Sequence, residues 1–256
     1  MTTFTGQGIS SPVEITAGPG GSMWFTNYNN NSIGRITMSG KVTNYTGKGI
    51  SGPYGIAAGP GGAVWFTNHE NNSIGRITKA GHVSNFSVKG ISKPYGIVAG
   101  PDGAMWFTNW GDNTIGRITP KGNVTDFHKK GVKGIRGPFA ITAGPDGALW
   151  FTDQFTSTTG SIGRITTAGT VTNYANPNIS RAAWIAVGSD GALWFTNYGT
   201  YTIGRITTAG AVTTYTDPGI SQPWGIAPGP DGALWFTEFF GFTSGHDHSL
   251  GRITTH

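Results

Sequence analysis

The chain lacks cysteine, is poor in charge and contains no long apolar run. Without cysteine there is neither a disulfide framework nor a thiolate metal site. Charged residues make up only 11% of the 256 residues, yet glycine (43 residues), threonine and aromatics are plentiful. That balance belongs to short strands joined by tight turns rather than to a disordered chain. No stretch approaches the ~18 apolar residues of a transmembrane helix, so no membrane partner is expected. The opening Met1-Thr2-Thr3-Phe4-Thr5 has neither a basic segment nor an apolar run, so it does not read as a signal peptide, and a cytoplasmic location is the default expectation.

What is present is a repeat. A Trp-Phe-Thr triplet begins at Trp24, Trp65, Trp106, Trp150, Trp194 and Trp235, with spacings of 41, 41, 44, 44 and 41 residues. Around it recur Pro-x-Gly-Ile, Gly-Pro-Asp-Gly, Ile-Gly-Arg-Ile-Thr and Val-Thr-x-Tyr. A period in the low forties with turn chemistry between short apolar runs marks four antiparallel strands per repeat, the blade of a β-propeller. In the second repeat the strands are expected at 54–58, 63–68, 73–78 and 82–87. The fold class is therefore all-β: a single six-bladed β-propeller domain over residues 1–256. The last repeat stops after its third strand, and Thr2-Thr3-Phe4-Thr5 matches Thr213-Thr214-Tyr215-Thr216. The N-terminal strand is thus expected to close the last blade.

The net charge of +5 invites a nucleic-acid partner, but six of the 17 basic residues are the recurrent Arg35, Arg76, Arg117, Arg164, Arg205 and Arg252. A residue that returns in every repeat belongs to the scaffold. The remaining cluster of Lys121, Lys129, Lys130, Lys133 and Arg136 reads as a solvated loop, and no nucleic acid is expected. Asp102, Asp146, Asp190 and Asp231 read as turn residues rather than calcium ligands, since Gly20 and Gly61 stand at the same place in the first two repeats.

Function is sought where the repeats differ. From the Thr of Trp-Phe-Thr to the next Ile or Leu before Gly-Arg is seven residues in four blades, ten in the fourth (Thr152 to Ile162) and thirteen in the sixth (Thr237 to Leu250). Lengthened loops on one face of a rigid scaffold are common binding sites. On that face stand Tyr54, Tyr95, Trp110, Phe139, Trp184 and Trp224 with the carboxamides Asn68 and Asn109, which together suit a small-molecule or glycan ligand. The same rings would also serve as a plug of the axial channel. Asp153 and Glu238 place acids there, and Glu238 with His246 and His248 offers a set for acid–base chemistry or for a divalent metal, the alternative being a polar surface loop.

Gly229 to Glu238, Gly-Pro-Asp-Gly-Ala-Leu-Trp-Phe-Thr-Glu, and the recurrent Ile-Gly-Arg-Ile-Thr resemble the signature of the virginiamycin B lyase (streptogramin lyase) propeller family along the whole chain. The resemblance implies a propeller scaffold. The family's characterised lyase has seven blades and opens a cyclic depsipeptide by Mg-dependent elimination, using histidines and glutamates in motifs of the type Pro-His-Gly-Ile and Trp-Phe-Thr-Glu-x-His. Here the histidine of the first motif is replaced by Tyr54, Tyr95, Phe139 or Trp224, and two places beyond Glu238 stands Phe240.

Three functional readings follow. One is a lyase-like enzyme acting by elimination on a small cyclic or aromatic natural product. In it Glu238 is base or metal ligand, His246 or His248 is acid or second ligand, Asp153 lies across the pocket, and Mg or another divalent cation is the cofactor. The second is a monomeric, non-catalytic lectin-like or small-ligand receptor whose aromatic rings stack the ligand. The third is a scaffold propeller without a ligand.

Overall fold

The structure, a computed structural model, is described for residues 8–127, 135–154, 160–238 and 249–255. It divides into two compact units, residues 1–128 and 129–256.

The first unit carries three four-stranded antiparallel sheets with strands in sequence order. They are β1 (Pro12–Gly18), β2 (Ser22–Asn27), β3 (Ser32–Ile36) and β4 (Val42–Thr46); β5 (Pro53–Gly59), β6 (Ala63–Asn68), β7 (Ser73–Thr78) and β8 (Val83–Phe86); and β9 (Pro94–Ala99), β10 (Met105–Asn109), β11 (Thr114–Ile118) and β12 (Val124–Phe127). The second unit repeats the plan. It holds β13 (Pro138–Ala143), β14 (Leu149–Asp153), β15 (Ser161–Ile165) and β16 (Val171–Ala175); β17 (Ala182–Val187), β18 (Leu193–Asn197), β19 (Thr202–Ile206) and β20 (Val212–Tyr215); and a three-stranded sheet of β21 (Pro223–Pro228), β22 (Leu234–Glu238) and β23 (Leu250–Ile253). These six sheets are the blades of a six-bladed β-propeller fold. The sixth shows three strands among the described residues, and the Thr2–Thr5 segment expected to complete it lies outside them.

Each blade is organised by its Trp-Phe-Thr strand. The tryptophan stacks on the ring of the fourth strand: Trp24 on Tyr45 at 5.4 Å between centroids, Trp65 on Phe86 at 5.5 Å, Trp106 on Phe127 at 5.0 Å, Trp150 on Tyr174 at 5.4 Å and Trp194 on Tyr215 at 5.1 Å. The far end of the phenylalanine ring fills the space beside the glycine of Ile-Gly-Arg, so that a Cβ at Gly34 would stand 2.1 Å from Phe25 Cζ. Between blades, Trp24, Ile33, Ile56, Val64 and Phe66 form one buried cluster, and Trp65, Ile74, Ile97, Met105 and Phe107 another.

The threonine works on the backbone. The register of the first two strands slips near the start of each inner strand, as between Pro53 and Ile56, freeing one N–H. The hydroxyl of Thr67 accepts from that N–H, Gly55, at 2.7 Å, and donates to the carbonyl of Tyr95 in the following blade at 2.7 Å. Thr26 does the same from Glu14 to Tyr54, Thr152 from Ala140 to Ala183, and Thr196 from Trp184 to Trp224.

The turn aspartates form a clamp. Asp146 Oδ1 accepts from Trp150 Nε1 at 3.0 Å while its Oδ2 holds Arg164 Nε at 2.6 Å, and Asp102, Asp190 and Asp231 repeat the arrangement. Burial raises the Asp146 carboxyl, but the indole, the guanidinium and the Ala148 N–H outweigh it and hold the group below its ordinary range. In the second blade Gly61 replaces the aspartate, and Trp65 Nε1 and Arg76 Nε are buried without hydrogen-bond partners. Asp146→Ala should leave Trp150 and Arg164 in that condition, at a cost of about 1–2 kcal/mol read as a lower urea midpoint. An unchanged midpoint would remove the clamp from the account of stability.

Candidate functional site

Two features of the first four blades decide what their inner ends present. A residue with positive φ precedes the inner strand, for example Ser11 (47°) and Lys93 (40°). The residue after the second strand then bonds back to it: Tyr28 N–H to Ser11 O at 3.2 Å, His69 N–H to Gly52 O at 3.0 Å and Trp110 N–H to Lys93 O at 3.3 Å. The side chain behind Trp-Phe-Thr-Asn is thereby brought beside the aromatic position of the inner strand.

In the first unit the rings form a continuous run. Tyr28 meets Tyr54 edge-on at 6.4 Å, Tyr54 meets Tyr95 edge-on at 4.4 Å, and Tyr95 packs against His69 at 4.5 Å and Trp110 at 5.4 Å. All five are half-buried. Tyr28 donates its hydroxyl to Glu70 Oε1 at 2.6 Å, and that bond is the main cause of a phenol pushed up to about 12. Desolvation likewise raises Tyr54 and Tyr95 and lowers His69.

The first unit also holds a carboxylate that the sequence reading passed over. Glu14 stands where Gly55 and Gly96 stand in the next two blades. Its Oε2 accepts from Ile56 N–H at 2.8 Å, which ties β1 to β5. Burial pushes it up to about 7 against the lowering pull of that bond. The signal was an acid in the glycine place of Pro-x-Gly-Ile.

In the second unit Phe139 meets Trp184 edge-on at 5.0 Å and Trp224 at 5.7 Å, Trp184 lies 5.6 Å from Trp224, and Tyr198 meets Trp224 edge-on at 5.6 Å. The Arg181 guanidinium carbon sits 5.4 Å from the Tyr198 ring centre. Pairing of Ala182 with Asn197 and the bond from Thr152 to Ala183 O put Trp184 at the glycine place, one residue beyond the aromatic position of other blades.

The carboxamides have a different place from the rings. Asn68 is fully buried: its Oδ1 accepts from Ser51 N–H at 3.0 Å, and its Nδ2 donates to Gly49 O at 2.7 Å and Ser73 Oγ at 3.0 Å. Asn109 holds Ser92, Gly90 and Thr114 in the same way. Each clasps the loop that enters its own blade. Asp153 occupies this place in the fourth blade, accepting from Arg136 N–H at 3.2 Å and from Ser161 Oγ and Asn173 Nδ2 at 3.1 Å. Burial pushes its carboxyl up to about 7 despite these three bonds and the Arg136 charge.

Glu238 is the clasp of the sixth blade. Its Oε1 accepts from Ser221 N–H at 2.8 Å and its Oε2 from Ser249 Oγ. His246 and His248 lie outside the described residues, as do the apolar loop from Phe239, most of the lengthened loop of the fourth blade, and Lys129, Lys130 and Lys133. Among the described residues no three His, Asp or Glu side chains gather as a metal site. Both oxygens of Glu238 are thus engaged by its own blade, and the two histidines expected beside it lie outside the described residues.

Comparison with known proteins settles the family. The Virginiamycin B lyase family matches residues 2–131 and 129–256, two stretches that divide the chain where its two units divide. The chain belongs to the virginiamycin B lyase family. A catalytically inactive virginiamycin B lyase from Staphylococcus aureus, solved with quinupristin, is 34% identical with a TM-score of 0.85, over 99% of this chain and 84% of that one. The selenomethionine form of the Staphylococcus aureus lyase is 33% identical (TM-score 0.83; 99% and 87% covered), and a streptogramin B lyase is 35% identical (TM-score 0.80; 89% and 76% covered). A search among curated sequences finds no match. At the inner-strand positions where the resemblance calls for histidine, this chain carries Tyr54, Tyr95, Phe139 and Trp224.

Proposed function

We propose that this chain binds a small cyclic or aromatic natural product against the aromatic ends of its inner strands. The observation that carries this reading is the run Tyr28–Tyr54–Tyr95–Trp110, half-buried rings packed edge-on or tilted against one another in the first unit. Such rings offer large, stiff apolar faces at little entropic cost, with phenol and indole edges for orientation. The family supports it too, since one relative was solved with quinupristin.

The test is calorimetric titration with quinupristin and with aryl glycosides, chromatography of each mixture reporting any ring-opened product. Saturable binding of at least one, weakened about tenfold or more in Tyr95→Ala, is the expected result. Titrations without heat across the panel, or an unaffected Tyr95→Ala, would overturn the reading. A ring-opened product would make the protein a lyase as well as a receptor.

A further inference from the structure

The aromatic face of the first unit has a charge character that its rings alone do not explain. Two carboxylates border it. Glu70 takes the Tyr28 hydroxyl, and Glu14 reaches from β1 to the backbone of β5. Among the described residues neither forms an ion pair with lysine or arginine. Glu14 is joined to the rings through the scaffold: its own N–H is taken by Thr26 Oγ1, which donates to Tyr54 O, and its charge acts on the Tyr54 phenol. The one histidine of the face, His69, is held towards its neutral form by desolvation, and its Nδ1 is buried without a hydrogen-bond partner.

A half-buried carboxylate such as Glu14 is better accommodated beside a cation, and ring faces attract positive charge. One cationic guest answers to both features. We propose that the face made by Tyr28, Tyr54, Tyr95 and Trp110 with Glu14 and Glu70 is a cation site that takes an alkylammonium group of the ligand. The proposal rests on the ligand-binding reading above and narrows it to amine-bearing compounds. Around Glu14, Tyr54 of β5 is the facing titratable group and Thr26 of β2 the facing polar one. Tyr28, Tyr95, His69 and Glu70 complete the face, with Lys93 acting on His69 from beyond it.

The experiment compares choline with its uncharged isostere 3,3-dimethylbutan-1-ol, titrated by NMR into the intact protein, Glu14→Gln and Glu70→Gln. Choline carries its charge at every pH, so any pH dependence belongs to the protein. The expected result is choline binding about tenfold more tightly than the alcohol. Its affinity should rise between pH 6 and 8 as Glu14 ionises, with both the preference and the pH dependence reduced in Glu14→Gln. Glutamine keeps an oxygen for the Ile56 N–H, and the exposed Glu70→Gln tests the second carboxylate if Glu14→Gln fails to fold. Equal affinities for the two probes would overturn the cation site while leaving aromatic binding intact. Binding of neither probe would overturn the cation site, while the aromatic reading stands or falls on the quinupristin and aryl glycoside titrations.

Discussion

Gly75→Ala is expected to lower stability by about 3 kcal/mol or more, a large core-overpacking penalty, seen as a clearly lowered urea midpoint. An alanine Cβ there would stand 2.1 Å from Phe66 Cζ and 2.2 Å from Cε2, against the ~3.5–4.0 Å at which carbons pack. Phe66 is fully buried and cannot swing away. Trimming the ring in the double variant Phe66→Leu/Gly75→Ala should recover part of the loss. A single variant that unfolds at the wild-type midpoint would show that the ring-on-glycine contact does not dictate this position. Gly62 is the control, since a Cβ there meets nothing within 4 Å and alanine is disfavoured only by a φ of 62°.

Asp153→Asn should act in the opposite direction. Asparagine stands at this place in the first, second, third and fifth blades, where its amide donates as well as accepts. The Asp153 carboxyl is raised from 3.8 to about 7 by burial. Below its ordinary value the acid is protonated whether folded or unfolded. As pH rises towards 7 the unfolded chain ionises while the folded one resists, so the wild type loses stability across that window and no further above it. Asparagine escapes the loss. The gain should therefore be smallest at pH 4 and reach a plateau above pH 7, on the order of 4 kcal/mol there. Urea unfolding at pH 4, 6 and 8 measures it, and a gain that ignores pH would mean that the carboxyl is not resisting ionisation.

The blade plan was legible because the repeat repeats its physics. In the second blade the expected strands 63–68 and 73–78 are the observed β6 and β7, while the outer two differ by one residue at each end, where ladders fray. The rings Tyr54, Tyr95 and Trp110 do come together, as do Phe139, Trp184 and Trp224. The carboxamides Asn68 and Asn109 were read as facing a ligand although they recur almost as faithfully as the arginines assigned to the scaffold. Their clasp spans 17 to 19 residues of sequence, a distance no local pattern reveals. Glu14 escaped because its importance lies in the backbone of the neighbouring blade rather than in its own motif.

The threonine relay has an evolutionary corollary. Thr26, Thr67, Thr152 and Thr196 all grip the next blade by a main-chain carbonyl, whose owner is in turn Tyr54, Tyr95, Ala183 or Trp224. Because the handhold is an atom that every amino acid shares, the side chain beside it is released from architectural duty. Mutation can exchange histidine for tyrosine or tryptophan at these positions without renegotiating how one blade meets the next. The inner-strand side chains can thus vary while the handhold between blades stays the same.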